Sequence, residues 1–392
     1  MTQRDDVHLP SRPSEVRGLG SLPDPYPVFA ALRARSPIHP VRHGVLVSRH
    51  ADVRTVLRAP EIFSSTAQAG MEPVLAGADP PLHTRVRRII MGAVNQKAIA
   101  RMEANVTRLV DALLDGIAQK GRVDFIDEFA ARIPIEVIGN LLCIPQQERG
   151  PLRGWSVAIL SGLEPKLSPE MLAAGNRAVT EFIDYLKGLV AVRRKHPGDY
   201  DTDVLTRLIQ GEKDGESLSE KELYHQCIFL LNAGHETTTN LIGNGVWALV
   251  NRPQEMARLR AEPSLVPSAI EEMLRYDGPI QLNNRRLSAP LALCGKTLPA
   301  GTAITIGIGA ANHDPAQFCD PERFDVGRKP NRHLAFGQGG HVCVGMNVAR
   351  MEGRIALARL IARFARIELA GAPERDRRVR FRGFRKLPLR LT

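Results

Sequence analysis

The strongest constraint on this chain is a stretch from Ser217 to Val250 that reads as one helix. Ser217-Leu-Ser-Glu220 has the spacing of a capping box, and no proline interrupts the residues that follow. At 1.5 Å per residue, roughly 30 helical residues reach about 45 Å, enough to cross a whole domain. From Cys227 to Leu231 the run is apolar on all sides, the pattern of a buried helix. Its centre nevertheless reads Asn232-Ala233-Gly234-His235-Glu236-Thr237-Thr238-Thr239-Asn240. Glycine costs about 1 kcal/mol against alanine in a helix, and a threonine hydroxyl can take the carbonyl four residues back and open the turn. Two readings stand side by side: a satisfied polar kink of the kind long helices carry, or a widening kept for chemistry. Helical spacing puts Phe229, Ala233 and Thr237 on one face, with Asn232 beside them.

The second informative stretch is Phe336-Gly-Gln-Gly-Gly-His-Val-Cys-Val-Gly-Met-Asn-Val-Ala-Arg350. Its glycines can take backbone angles closed to other residues, and after Cys343 apolar residues recur at helical spacing through about Phe364. Cys343 is thus expected where a tight loop enters a helix. Free amide N–H groups and a helix N-terminus favour thiolate, the form that binds a metal. A lone intracellular cysteine is more often a buried inert thiol. Zinc is a poorer reading still, because no second cysteine or histidine pair stands nearby at ligand spacing. One thiolate in one pocket would suit haem iron.

These residues resemble the haem-binding signature of the cytochrome P-450 family, Phe-Gly-x-Gly-x-His-x-Cys-x-Gly. Phe336, Gly337, Gly339, His341, Cys343 and Gly345 fill every fixed position, and Ala349-Arg350 continue the usual helix. Val344 and Val348 stand where leucine is common. The Ala-Gly-x-Glu-Thr-Thr of the long helix is similar to the family's oxygen-activating motif. The resemblance implies a local widening there, with Thr237 hydrogen-bonding dioxygen at the iron and Glu236 helping to deliver protons. Peroxide-using relatives replace this acid and threonine, so the pair favours O2 with external electrons. By the same match Ala233 would touch the haem, while Phe229 and Asn232 would touch substrate.

Further motifs follow in the family's order. Asp79-Pro80-Pro81 opens a helix in which His83 and Arg87, four apart, share a face. Alone this would read as a solvated basic face; in the family the His-x-x-x-Arg pattern holds a haem propionate. Glu272 and Arg275 can pair at i, i+3, and the family's network is completed by a later arginine, here Arg328 in a structural role. Alignment to the family makes Arg285 a propionate ligand, with Arg286 beside it as the other register. Gln281 and Asn283 would then face the pocket or haem edge, and Phe384 would reach the substrate.

The resemblance covers residues 25 to 392. It implies a mainly α fold with smaller β regions (α+β): the cytochrome P-450 fold, a triangular helix-rich single domain with haem between the long central helix and the Cys-loop helix. Residues 1 to 24, rich in proline and glycine, read as an N-terminal arm. Elsewhere periodicity predicts helices at Pro27 to Arg35, Ala51 to Leu57, Ile99 to Lys120, Ile133 to Leu142, Ser168 to Arg194, Asp203 to Gln210 and Ser268 to Tyr276. Gly44 to Ser48 reads as strand, Ser64 to Ala78 as a loop, which in the resembling family lies over the substrate, and Gly162 to Pro169 as a crossing that is either a pocket lid or plain surface loop.

Composition sets outer bounds. The 392 residues are 43% hydrophobic, enough for a large core. Five scattered cysteines do not look like a disulfide framework, and the polar N-terminus shows no signal or spanning segment, so a cytoplasmic protein without membrane attachment is expected. The net charge of +11 is spread along the chain and matches no nucleic-acid-binding pattern. The implied cofactors are haem b (iron protoporphyrin IX), O2 and electrons ultimately from NAD(P)H. The implied partners are a small apolar substrate and a ferredoxin or flavodoxin with its reductase, which Arg85, Arg88, Lys97 and Arg101 would dock. A monomer is expected. The leading reading is a monooxygenase that hydroxylates or epoxidises its substrate; the other is a non-oxygenating haem protein, such as a rearrangement catalyst, carrier or sensor.

Overall fold

A computed structural model describes residues 19, 22–41, 44–65, 74–162, 168–211, 218–293, 295–376, 378 and 380–392. The expected arm therefore lies almost wholly outside the described residues, as do Met71 and most of the Gly162 to Pro169 crossing. The helices that matter below, in chain order, are α1 (Tyr26–Arg35), α2 (His50–Arg58), α3 (Leu82–Ala93), α4 (Gln96–Ala118), α5 (Arg132–Leu141), α6 (Leu152–Ser161), α7 (Pro169–Lys195), α8 (Val204–Gln210), α9 (Glu220–Val250), α10 (Pro253–Ala261), α11 (Val266–Tyr276) and α12 (Met346–Arg363). Chain segments interleave into two compact units. One holds residues 1–66, 240–343 and 371–387, the other 67–239, 344–370 and 388–392.

The first unit carries a five-stranded sheet in the order Ile38–Val41, Gly44–Val47, Ala303–Gly307, Leu282–Leu287, Phe63–Ser64. All its pairs are antiparallel except Gly44–Val47 with Ala303–Gly307. Alternation along these strands sends Val45, Val47, Ile304 and Ile306 into a core shared with Val53 and Val56 of α2. Below it, Glu272 and Arg275 of α11 form a fully buried ion pair. Arg275 Nε and Nη2 donate to the two Glu272 oxygens at 2.8 Å each. Arg328 Nε reaches the same carboxylate at 3.1 Å, so the three-residue network expected from Glu272, Arg275 and Arg328 is present.

In the second unit α6 and α7 cross almost backbone to backbone. A Cβ added at Gly175 would lie 3.2 Å from Ala158 O and from Gly162 Cα. Trp155 on α6 stacks on Phe182 of α7, with centroids 5.0 Å apart. A three-stranded antiparallel sheet places Pro388–Leu391 between Arg122–Asp124 and Ile367–Leu369. Arg359 of α12 grips Asp111 of α4 through two bonds of 2.6 Å.

The long helix forms as expected but starts differently. Its cap is Ser219, whose Oγ accepts the Glu222 N–H at 3.2 Å while Glu222 Oε2 accepts the Ser219 N–H at 2.8 Å. Two Ser-x-x-Glu spacings overlap here, and the reciprocal bonds select the second rather than Ser217 with Glu220; Ser217 is outside the described residues. The threonine-rich centre also does not break the helix, which runs unbroken from Glu220 to Val250. Thr237 Oγ1 and Thr239 Oγ1 donate to the carbonyls of Ala233 (2.7 Å) and His235 (2.9 Å), adding to the helical ladder instead of opening it.

Glu352, on the buried face of α12, has an oxygen with no hydrogen-bond partner, and burial pushes its carboxyl up to about 8 from 4.5. The folded state therefore holds a proton that the unfolded chain releases above about pH 4.5. Stability contributed by this proton is full below that pH and declines as pH rises through about 8. Glu352→Gln should lie close to the parent near pH 5 and exceed it above pH 8, by on the order of 5 kcal/mol at about 1.4 kcal/mol per pKa unit. Denaturant unfolding at pH 5 and pH 9 measures the difference.

Candidate functional site

In the first unit the glycine-rich loop is shaped by its backbone. Gly337 and Gly339 have φ of +67° and +71°, the left-handed region that favours glycine. A Cβ at Gly339 would also stand 2.6 Å from Leu57 O of α2, so this position needs glycine twice over. Residues Gly339–His341 make one 3-10 turn, and the Cys343 N–H then donates to Phe336 O at 2.9 Å. Cys343, Phe336 and His341 are all half-buried. Gly345 caps α12 with an ordinary φ of −88°. No atom within 4 Å would meet a Cβ there, so nothing in the protein itself requires glycine at 345.

Strand Leu282–Leu287 separates the two candidate arginines. Arg285 is on its buried side, 8% exposed, with Nη1 donating to Asn284 O at 2.8 Å. Arg286 points out and donates to Gly301 O at 2.8 Å. Asn283 is half-buried, its Oδ1 accepting the Asn284 N–H at 2.8 Å. Gln281 and Phe384, expected against substrate, are instead set into the unit's own packing. The Gln281 amide donates to Gly278 O at 2.9 Å and fills the space where Gly309 would carry a Cβ. Phe384 is wedged between the Trp247 ring, 5.6 Å away, and the Arg375 guanidinium, 3.8 Å away.

In the second unit α3 begins after Pro81 and places buried His83 and half-buried Arg87 on one face. Arg85, expected at a docking surface, is turned instead to Glu222 of α9 in a 2.9 Å ion pair. Arg101 is likewise paired, with Asp199 at 3.1 Å, whereas Arg88 and Lys97 are exposed. Gly234 of α9 lies where a side chain would strike Ile138 of α5, so close helix packing explains this glycine.

The centre of α9 is asymmetric. His235, Glu236, Thr238, Thr239 and Asn240 are buried, yet Ala233 is exposed, and Phe229 and Thr237, one turn to either side, are half-open. An apolar-walled stripe with a hydroxyl at one end thus runs along a helix otherwise covered on its flanks. Asn232 is 8% exposed. Its Nδ2 donates to Ile228 O at 2.9 Å, and its Oδ1 has no partner.

A family model described as cytochrome P450 matches residues 159–384. The chain belongs to the cytochrome P450 family. It is 38% identical over 369 residues to cytochrome P450 107B1 of Saccharopolyspora erythraea, covering 88% of each chain. To the cytochrome P450 monooxygenase PikC of Streptomyces venezuelae it is 35% identical over 368 residues, covering 89% of this chain and 86% of that one. The crystal structure of P450BioI in complex with a hexadec-9Z-enoic acid ligated acyl carrier protein superposes with a TM-score of 0.88 at 30% identity, covering 94% of this chain and 98% of that one.

This P450 is accordingly a haem b monooxygenase that uses O2 and electrons drawn from NAD(P)H through partner proteins. The residues of each unit suit such a cofactor in their chemistry: in the first, the Cys343 thiol in a glycine-shaped loop and the Arg285 guanidinium; in the second, the His83 imidazole and the Arg87 guanidinium on one helix face. Among the described residues no cluster of histidine, cysteine or acidic side chains is arranged to hold a separate metal ion. No described helix is long and apolar enough to cross a membrane.

Sequence reasoning did not find the buried contact between His235 Nδ1 and Ser156 Oγ, 3.1 Å, because the partners are 79 residues apart. The loop geometry leads to a direct test. Gly339→Ala should lower stability by about 1–3 kcal/mol through its positive φ and the Leu57 carbonyl. Gly340→Ala, whose nearest neighbour would be Pro60 Cγ at 3.8 Å, should be tolerated. Thermal melts of both purified variants make the comparison.

Proposed function

We propose that this P450 inserts one atom of O2 into a C–H bond or double bond of a small, largely apolar molecule carrying at least one hydrogen-bonding group. The observation that carries the reading is the open stripe of Phe229, Ala233 and Thr237 beside the buried His235, Glu236 and Thr238 to Asn240. Bound haem b supplies the iron at which O2 takes up two electrons and two protons, one oxygen atom going to substrate and the other to water.

The chain's own residues then have distinct tasks. Cys343 is the thiolate ligand of the iron, in a loop shaped by the left-handed backbone of Gly337 and Gly339. His83, Arg87 and Arg285 hold the propionates by charge-assisted hydrogen bonds. Gly345 and Ala233 keep bulk away from the macrocycle, and Phe336, Gly337 and His341 line the loop beside it. Thr237 presents a hydroxyl where oxygen is reduced, and Glu236 moves protons toward it. Phe229 gives the substrate an apolar wall, with Asn232 and Asn283 as its polar neighbours.

Electrons come from a separate ferredoxin or flavodoxin and its reductase. Among the cations expected to dock an acidic partner, Arg85 and Arg101 are engaged by acids, and Arg88 and Lys97 are exposed. Cysteines 143, 227, 319 and 343 lie outside any disulfide, which suits a reducing cytoplasm.

Titration of the ferric protein with terpenoids, steroids, macrolides, fatty acids and aromatic acids, followed by haem absorption, should give a saturable spin-state shift with one class. The structure of P450BioI contains a fatty acid on an acyl carrier protein, so carrier-bound acids belong in the panel. With the substrate found, Thr237→Ala should divert electrons from product to peroxide or water several-fold more than the parent. Unchanged coupling would sink the assignment of Thr237.

The two arginines separate in a second test. Arg285→Ala should speed haem transfer to apomyoglobin by about tenfold or more, the scale of one lost charge-assisted hydrogen bond. Arg286→Ala should leave that rate unchanged.

A further inference from the structure

The middle of α9 carries an unusual density of polar side chains for a buried helix, and three of them turn inward on their own backbone. Asn232, Thr237 and Thr239 each donate to the carbonyl four residues earlier, those of Ile228, Ala233 and His235. Such bonds share carbonyls with the helical ladder, so these donors are met by α9 itself and not by a neighbouring helix. His235 behaves differently. Its Nδ1 meets Ser156 Oγ of α6 at 3.1 Å, with both residues essentially closed to solvent. A histidine and a serine facing each other between two helices are costly to bury unless they bond to one another. A polar pair in an apolar seam also fixes register, because sliding or rotating either helix leaves both groups unsatisfied.

The helix on the other side of that bond is itself firmly held. α6 is locked to α7 by the Gly162–Gly175 crossing and by the Trp155–Phe182 stack. A second polar link ties the same pair to α9 far from this point: Arg194 at the end of α7 bonds Glu220, the first residue of α9, at 2.7 Å. Residues 220 and 235 are about 22 Å apart along the helix. The α6–α7 pair is therefore tied to α9 at an exposed base and at a buried point directly before Glu236.

We propose that Ser156 is a positioning residue for the reaction: through His235 it fixes the rotation of the α9 turn that presents Glu236 and Thr237. The inference rests on the assignment of those two residues to oxygen chemistry. The His235–Ser156 bond is a direct path by which a displacement of the α6–α7 pair reaches the reactive turn, whereas the donors of Asn232, Thr237 and Thr239 are met within α9.

The test uses ferric holoprotein with Ser156→Ala and Ser156→Thr, the second keeping the hydroxyl. Haem content should match the parent in both, and melting should match it in Ser156→Thr and fall in Ser156→Ala, which removes the Ser156 partner of a buried imidazole nitrogen. After dithionite reduction and mixing with O2, the rate of return to the ferric form should change by about two- to tenfold in Ser156→Ala, the scale of one lost hydrogen bond, and be restored in Ser156→Thr. Amide hydrogen exchange across residues 229–240 of the ferric holoprotein should quicken in the alanine variant alone. His235→Leu should reproduce the alanine result and covers the case in which Ser156→Ala does not fold. Parent-like oxidation and exchange in Ser156→Ala or in His235→Leu would overturn the proposal. Equal change in the alanine and threonine variants would also overturn it, by making the effect one of packing. If Thr237→Ala uncouples turnover while Ser156→Ala is silent, this inference fails and the function stands; if Thr237→Ala is silent too, the function fails first.

Discussion

The carboxylate of Glu272 is the point from which the first unit's catalytic loop is held. Besides Arg275 and Arg328 it accepts the Asp325 N–H at 2.9 Å and Asn331 Nδ2 at 3.1 Å. Arg275 passes the restraint on by donating to Asn312 O, and Asn312 Oδ1 accepts the Leu334 N–H, two residues before Phe336. From there a single backbone bond reaches Cys343. Burying an ion pair is favourable only when every remaining donor and acceptor is met, and here they are. Removal of one partner from such a pair typically costs about 3–5 kcal/mol. A surface pair of the same residues would contribute a fraction of that and could not position a loop.

The second unit solves a different problem. Its long helix must be buried to organise the unit, yet must expose reactive groups. The solution lies in residue size at four-residue intervals: Ala233 leaves one face low, while Gly234 beside it allows α5 to press close on another. Threonine hydroxyls that bond backward are thereby tolerated at low cost, since their donors are satisfied within the helix.

Local patterns in the sequence were enough for the elements that carry chemistry. The glycine-rich loop, the four-residue spacing of His83 and Arg87 and the Glu272–Arg275 pair are short-range features that form where their spacing indicates, whereas the Asn232–Asn240 run stays helical instead of kinking or widening. What could not be read joins distant residues. Arg85 meets Glu222 across 137 positions, so a cation that looked available for docking is already engaged. Gln281 and Phe384 look like pocket residues until Gly309, Trp247 and Arg375 close around them. The cap of α9 failed for another reason: Ser217 and Ser219 offer the same spacing, and only hydrogen-bond geometry distinguishes them.

The open stripe also gives the molecule a measure of length. Phe229 and Thr237 are two turns apart, a rise of about 12 Å on a helix too well packed to stretch. In the proposed function, shape is judged at the Phe229 end of that interval and bonds are altered at the Thr237 end. Regiochemistry then becomes a comparison between a substrate's own dimensions and a fixed ruler, and the size of residue 229 can shift the zero mark without disturbing the reactive end.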